Sequence, residues 1–225
     1  MSKKLISACI AVIPFAVFAL PTTASATNDP QLTSGGFLVP DNTSITGTAA
    51  ETKFTNTEGT ATQVLCSHAH ITGTLLKNTS GTVEGSIPAG SAIFKGTGAT
   101  SVHNNLPECT SSFGSAYVTV TSALCIRSTP AMVTDEFQVT GACGSTGKVT
   151  FIIGSTTAGA CMYIATGAVK GTYTTGGTQV SMTTTDTSAG SGVTLEGGGF
   201  LCPTSGALAM TFKLSTTNGE SIVVS

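Results

Sequence analysis

The stretch LAMTFKLST (residues 208–216) decides the fold class, because larger apolar residues occupy every second position. Side chains two apart on a β-strand share a face, so one face of this stretch is predicted to be buried and the other solvated. The predicted buried face consists of Leu208, Met210, Phe212 and Leu214. The pattern is typical of a half-buried strand at the wall of a β domain.

The same alternation recurs along the chain and predicts further strands in AYVTVTSAL (116–124), EFQVTG (136–141), KVTFIIG (148–154) and, at its end, ESIVVS (220–225). Glycine-rich turn signals separate such runs: SGG, EGS, GTG, TGG and EGGGF. Helical periodicity is absent outside the first residues. The sequence therefore predicts an all-β fold, an antiparallel β-sandwich or an open barrel stapled by disulfides.

The first residues have the form of an export signal. Lys3 and Lys4 precede the apolar run LISACIAVIPFAVFAL, and Ala24-Ser25-Ala26 matches the small-x-small pattern of signal peptidase sites. The apolar run is short for a membrane-spanning helix, which needs about twenty residues. We expect residues 1–26 to be a signal peptide cleaved after Ala26, and no transmembrane segment to remain after its removal.

The remaining chain is expected to form one unit. Residues 27–40 lack strand alternation and are predicted to be a flexible leader, and residues 41–225 a single β-rich domain. A subdivision near residues 121–124 is the alternative.

The cysteines indicate disulfides. The chain has seven, and Cys9 falls within the predicted signal, which leaves an even number in an exported protein. The cysteines include no C-x-x-C pair, which is the spacing typical of a structural zinc site or a redox dithiol. Neighbouring strands of an antiparallel meander are adjacent in sequence, so we expect the nearest cysteines to pair: Cys66–Cys109, Cys125–Cys143 and Cys161–Cys202.

The charge balance excludes several partners. The formal net charge is −2, and losing Lys3 and Lys4 with the signal would make it −4. Binding to nucleic acid or to anionic lipid needs clustered lysine and arginine, which this chain lacks. We predict no nucleic-acid partner.

The segment CSHAH (66–70) contains the clearest candidate ligands. His68 and His70 project from one face of a strand, a spacing that can bind copper or zinc. The remaining histidine, His103, would approach them if Cys66 bonds Cys109. The alternative is that these histidines are polar side chains on the solvated face of a strand and bind no metal.

Signatures of catalysis and of a bound cofactor are missing from the sequence. There is no G-x-S-x-G elbow, the acidic residues are scattered, and the glycine-rich segments do not open a helix. We therefore expect no cofactor and no catalytic residues, hence a non-enzymatic protein.

Two segments together resemble a known group. They are ALCIRSTPAMVTDEFQVTGACGS (123–145) and the later AGACMYIATGAVKGTYTT with GGGFLCPTSGALAMTFKLSTTNGESIVVS. They are similar to an uncharacterised family of small exported, disulfide-containing β-rich proteins of actinobacteria. The chain departs from that group at ALCIR, where an aromatic residue precedes the cysteine in the group. The resemblance implies export and a disulfide-bonded β fold. It implies no particular activity.

Three functions follow as hypotheses. The first is an exported protein, secreted or associated with the cell envelope, with a role in surface recognition or adhesion and in contact with the envelope or an extracellular polymer. The second is a carrier of a small ligand or of copper or zinc. The third and least favoured is a hydrolase of cell wall or polymer.

Overall fold

The computed structural model describes residues 29–56, 62–79, 81–96, 102–103, 106–111, 114–145, 147–155, 159–165, 169–183, 193–199, 202 and 205–225. Only the backbone is described for Asn56, Thr62, Gln63, Val102, His103, Leu106, Pro107, Ser155, Thr183 and Ser205. The predicted signal peptide, its cleavage site and residues 27–28 lie outside these ranges.

The described residues form twenty strands, which are β1 (Leu32–Ser34), β2 (Phe37–Leu38), β3 (Ser44–Ala49), β4 (Thr52–Asn56), β5 (Thr62–Cys66), β6 (His68–Thr79), β7 (Thr82–Ile87), β8 (Ala92–Lys95), β9 (Val102–His103), β10 (Leu106–Ser111), β11 (Gly114–Val120), β12 (Leu124–Ser128), β13 (Glu136–Thr140), β14 (Val149–Ser155), β15 (Gly159–Ala165), β16 (Val169–Tyr173), β17 (Gln179–Thr183), β18 (Val193–Gly197), β19 (Ser205–Thr216) and β20 (Ile222–Val224).

Most of these strands lie end to end in pairs. Strands β3 and β4 follow one another along the same edge of β19, at residues 213–216 and 206–210, with only Ala50 and Glu51 between them. The opposite edge of β19 pairs with β17 and β18 in the same manner. We call each end-to-end pair of strands, and β19 alone, a stave.

The staves form a closed barrel. In chain order they are β3–β4, β5–β6, β7–β8, β11–β12, β13–β14, β15–β16, β17–β18 and β19. Each stave pairs antiparallel with the next, and β19 pairs back with the first. Seven pairs and one single strand thus make an up-and-down barrel of eight staves among the described residues. Strand β10 stands outside this succession and inserts between β5 and β11.

The prediction of an all-β, antiparallel fold is confirmed. Of the two architectures left open, the structure takes the barrel, and β19 closes it. The turn predicted at EGS is wrong, because Glu84, Gly85 and Ser86 lie inside β7 and pair with β12. The subdivision considered near residues 121–124 falls inside one stave, where Thr121 N donates a hydrogen bond to Thr150 O and the wall continues.

Alternation along each strand separates the interior from the surface. In β16, Val169, Gly171 and Tyr173 are buried, whereas Lys170 and Thr172 are exposed. Phe137 lies across the ladder from Gly171, and a Cβ added at Gly171 would overlap the Phe137 ring. Glycine is therefore required there for the aromatic ring to pack flat over the neighbouring strand.

The interior contains two core clusters. The first includes an aromatic trio with ring centroids 5.1 Å apart for Phe54 and Tyr163 and 5.5 Å apart for Phe151 and Tyr163. The second is built around Leu75 and Phe137, together with residues from β16 and β20. Three half-buried side chains pack against both clusters: Val180, Met182 and Leu214.

Three disulfides join neighbouring parts of the wall, with the pairing expected from the sequence: Cys66–Cys109, Cys125–Cys143 and Cys161–Cys202. The first and third belong to the first core cluster and so fasten one end of the barrel. Each covalent link should stabilise the fold by about 2–4 kcal/mol, chiefly by restricting the unfolded chain.

A small sheet caps the barrel next to the second cluster, and it corrects the prediction of a flexible leader over residues 27–40. From residue 29 onward this segment is ordered: β1 pairs with β2 and with β20, and Leu32 and Val39 are buried. The segment showed no alternation because β1 and β2 span only three and two residues and both residues of β2 are exposed; in addition, the partner of β1, strand β20, lies far along the chain. Such pairing leaves no local sequence signal.

The side chain of Asn78 holds this cap in place. It is fully buried, and its Nδ2 donates hydrogen bonds to the carbonyls of Leu32 and Val39, each at 2.8 Å. Its Oδ1 accepts a hydrogen bond from Leu32 N at 2.8 Å. The amide thus pairs with Leu32 N and Val39 O, and it adds a second hydrogen bond at Leu32 O, which also accepts one from Val39 N at 2.9 Å.

Replacing Asn78 by alanine should therefore destabilise the protein. The Asn78→Ala variant removes the side-chain partner of Leu32 N and of Val39 O, so we expect the free energy of unfolding to fall by about 3 kcal/mol in denaturant titration. Asn218→Ala, at an exposed turn, should change it by less than about 0.5 kcal/mol. Equal, small effects in both variants would show that Asn78 does not anchor the cap.

Candidate binding site

The interior of the barrel contains an apolar cavity, which we call the lumen. Its volume is about 190 Å³, and every stave and the cap contribute to its lining. The aromatic part of the lining comes from both core clusters: Phe54, Phe94, Phe137, Phe151, Tyr173 and Phe212. Barrels of about eight strands have interiors that side chains can just fill or that hold one small ligand. This interior is incompletely filled.

Glycines occupy three inward positions of the wall, and at one of these positions space remains. Gly47, Gly73 and Gly85 line the lumen from three neighbouring staves, so these inward positions carry no side chain. The Gly47 and Gly73 positions are tight, since an added Cβ would lie 2.7 Å from Ile71 Cγ1 and 2.6 Å from Ser86 O respectively. At Gly85 the nearest atom would be Thr74 O at 3.6 Å, so this position is open.

The lumen is uncharged. No Asp, Glu, Lys, Arg or His side chain is among its lining residues within the described ranges. The polar residues among the lining are small, and Ser128 Oγ, for example, donates a hydrogen bond to Glu136 O at 2.6 Å. Burying an ion in such surroundings is costly, so the lumen suits an uncharged occupant.

The histidines predicted as metal ligands lie elsewhere. His68 and His70 share one face of β6, where both are exposed, and Thr72 Oγ1 lies 3.2 Å from His70 Nε2. Lys95 stands opposite His68 in the ladder. The backbone of His103 lies in β9, but its side chain is outside the described part, so the proposed three-histidine site stays a prediction.

Among the described residues, one group brings three potential metal-ligating side chains together: Glu84, Cys125 and Cys143. The two sulfurs are joined in a disulfide and offer no thiolate to a metal. This group therefore does not form a metal centre.

Sequence reasoning did not find the lumen. The inward faces of single strands can be read from alternation, but whether they fill the interior depends on how many staves close the ring. One usable signal was the placement of glycines inside strands, as in SITGT (44–48) at Gly47 and in EGS (84–86) at Gly85, which mark gaps or close approaches rather than turns.

Comparison of the chain with models of protein families, with curated proteins and with solved structures finds no match. The resemblance to the actinobacterial group stays a prediction. Within the described part of the chain, no helix has the length and apolar character needed to cross a bilayer.

The ionisation of Tyr163, one of the aromatic trio, provides a measure of burial in the interior. Burial raises the pKa of Tyr163 from 10.0 to about 12, because removing the phenol from water disfavours its ionised form. The unfolded chain loses this proton near pH 10, whereas the folded protein keeps it to about pH 12. The contribution to stability is thus complete below pH 10 and is lost as the pH rises towards 12.

We expect the wild-type free energy of unfolding to fall more steeply between pH 10 and 12 than that of Tyr163→Phe, measured by denaturant titration at each pH. Tyr117→Phe, a substitution on the outer face, should retain the steep wild-type dependence. Parallel pH profiles for wild type and Tyr163→Phe would contradict the assignment.

Proposed function

We propose that this chain is an exported binding protein that carries one small, uncharged, apolar molecule in the lumen of its barrel. The observation that carries the proposal is the lumen itself, about 190 Å³ in volume and lined without a charged side chain. The lumen favours the hypothesis of a small-ligand carrier over that of a copper or zinc carrier. The binding site would lie inside the barrel and not at the histidines.

The volume indicates the size of the ligand. A dry cavity of roughly 150 Å³ in another protein, lined by Leu, Ile and Phe, binds benzene. A lumen of about 190 Å³ has room for a single ring with a short substituent. Such a molecule would gain dispersion contacts with lining atoms that otherwise face empty space.

Export is part of the proposal. The N-terminal pattern ending at Ala26 supports it, and so do three disulfides, which persist in oxidising compartments and are rare in reducing ones. The sequence hypotheses of surface recognition, of contact with envelope or polymer, and of hydrolysis stay predictions, because no described feature bears on them.

Toluene is a suitable probe of the proposed function. At a free concentration about ten times its Kd, toluene would stabilise the wild type by about 1.4 kcal/mol, or about 4 °C in Tm. We expect Val180→Phe to reduce this shift, because Val180 packs against both clusters and a larger side chain there takes up part of the lumen. Calorimetric titration should give the same result.

Val133→Phe is the matched control, since Val133 is 63% exposed and lies outside the lumen. It should keep the wild-type response. If Val180→Phe is too overpacked to fold, Gly85→Ala adds a methyl group to the lumen where space is open, with Gly197→Ala as its control outside the lining. Absence of toluene binding to the wild type, or undiminished binding to the filled variants, would reject the proposal.

A further inference from the structure

Thr52 is a polar residue at an inward position of the wall. It shares the inward face of β4 with Phe54, lines the lumen and is 4% exposed, whereas the intervening Lys53 is exposed. Its partners across the ladders are Cys66 on one side and Met210 on the other, and neither side chain is a good hydrogen-bonding group.

The hydroxyl of Thr52 has no hydrogen-bond partner. Among the described residues, Thr52 Oγ1 is the one buried side-chain nitrogen or oxygen atom in this condition. The other buried polar side chains are satisfied: Ser128 bonds the carbonyl of Glu136, and Asn78 bonds the cap. An unpaired buried hydroxyl destabilises a fold, and valine would fill the same space without that penalty.

We infer that Thr52 selects the ligand: the lumen takes a small apolar molecule with one uncharged oxygen, an alcohol, aldehyde or ketone, to which Thr52 hydrogen-bonds. This inference rests on the proposed function of the lumen. A threonine hydroxyl both donates and accepts, so it suits each of these groups. Rotation of χ1 by about 120° places the hydroxyl oxygen where the methyl group or the hydrogen on Cβ now lies, so the oxygen can turn towards a ligand in the lumen without movement of the backbone.

The surroundings restrict the ligand further. A carboxylate or an amine would need a counter-charge, and the lining offers none. A single buried water would need two or more polar partners, and the residues paired with Thr52 do not supply them. The ligand is therefore neutral and has its hydrocarbon part in the lumen and its oxygen at Thr52.

Benzyl alcohol and toluene form a suitable pair of probes, because they differ by one hydroxyl. We expect Thr52→Val to weaken benzyl alcohol binding about tenfold relative to wild type, as one lost hydrogen bond does, and to leave toluene binding unchanged in calorimetric titration. The same substitution should raise the Tm of the ligand-free protein. Thr48→Val, at an exposed position of β3, should alter neither affinity.

The outcomes separate this inference from the proposed function. If wild type binds toluene but Thr52→Val leaves both affinities unchanged, the lumen is a binding site and Thr52 does not select its ligand. A lower Tm for ligand-free Thr52→Val would also overturn the inference, since it would reveal a structural role for the hydroxyl. Failure of wild type to bind either probe would overturn the proposed function and the inference with it.

Discussion

Strand β19 exchanges main-chain hydrogen bonds along both of its edges, with β17 and β18 on one side and β3 and β4 on the other. This double pairing turns a meander into a ring and leaves neither the first nor the last stave with an open edge, which would invite aggregation. It also fixes the number of staves and hence the width of the interior. The chain has no tryptophan and 27 glycines, so its side chains do not fill that width.

The two ends of the ring are held by different chemistry. At one end, the disulfides Cys66–Cys109 and Cys161–Cys202 lie within the first core cluster. At the other, the cap packs against the second cluster and is fixed by the amide of Asn78. The lumen lies between two ends that are each fastened, so an apolar void persists where an unconstrained interior would collapse and pack more closely.

The sequence predicts those parts of the structure that depend on local pattern. Alternation in residues 208–216 identified the strand and its buried face, and adjacency of strands in an antiparallel meander identified the disulfide partners. Ring closure could not be predicted, because the pairing of Ile45 with Thr216 joins residues far apart and has no local signature. The role of Thr52 was hidden for the same reason: a threonine in a strand stands out only when its inward position and its lack of a hydrogen-bond partner are known.

A crystal structure of the protein under xenon pressure would test the central claim most directly, because xenon enters dry apolar cavities and its position is found by anomalous scattering. The account predicts xenon inside the closed barrel, between the two core clusters and near Val180. An interior in which side chains occupy the lumen, with xenon only at the surface, would contradict it.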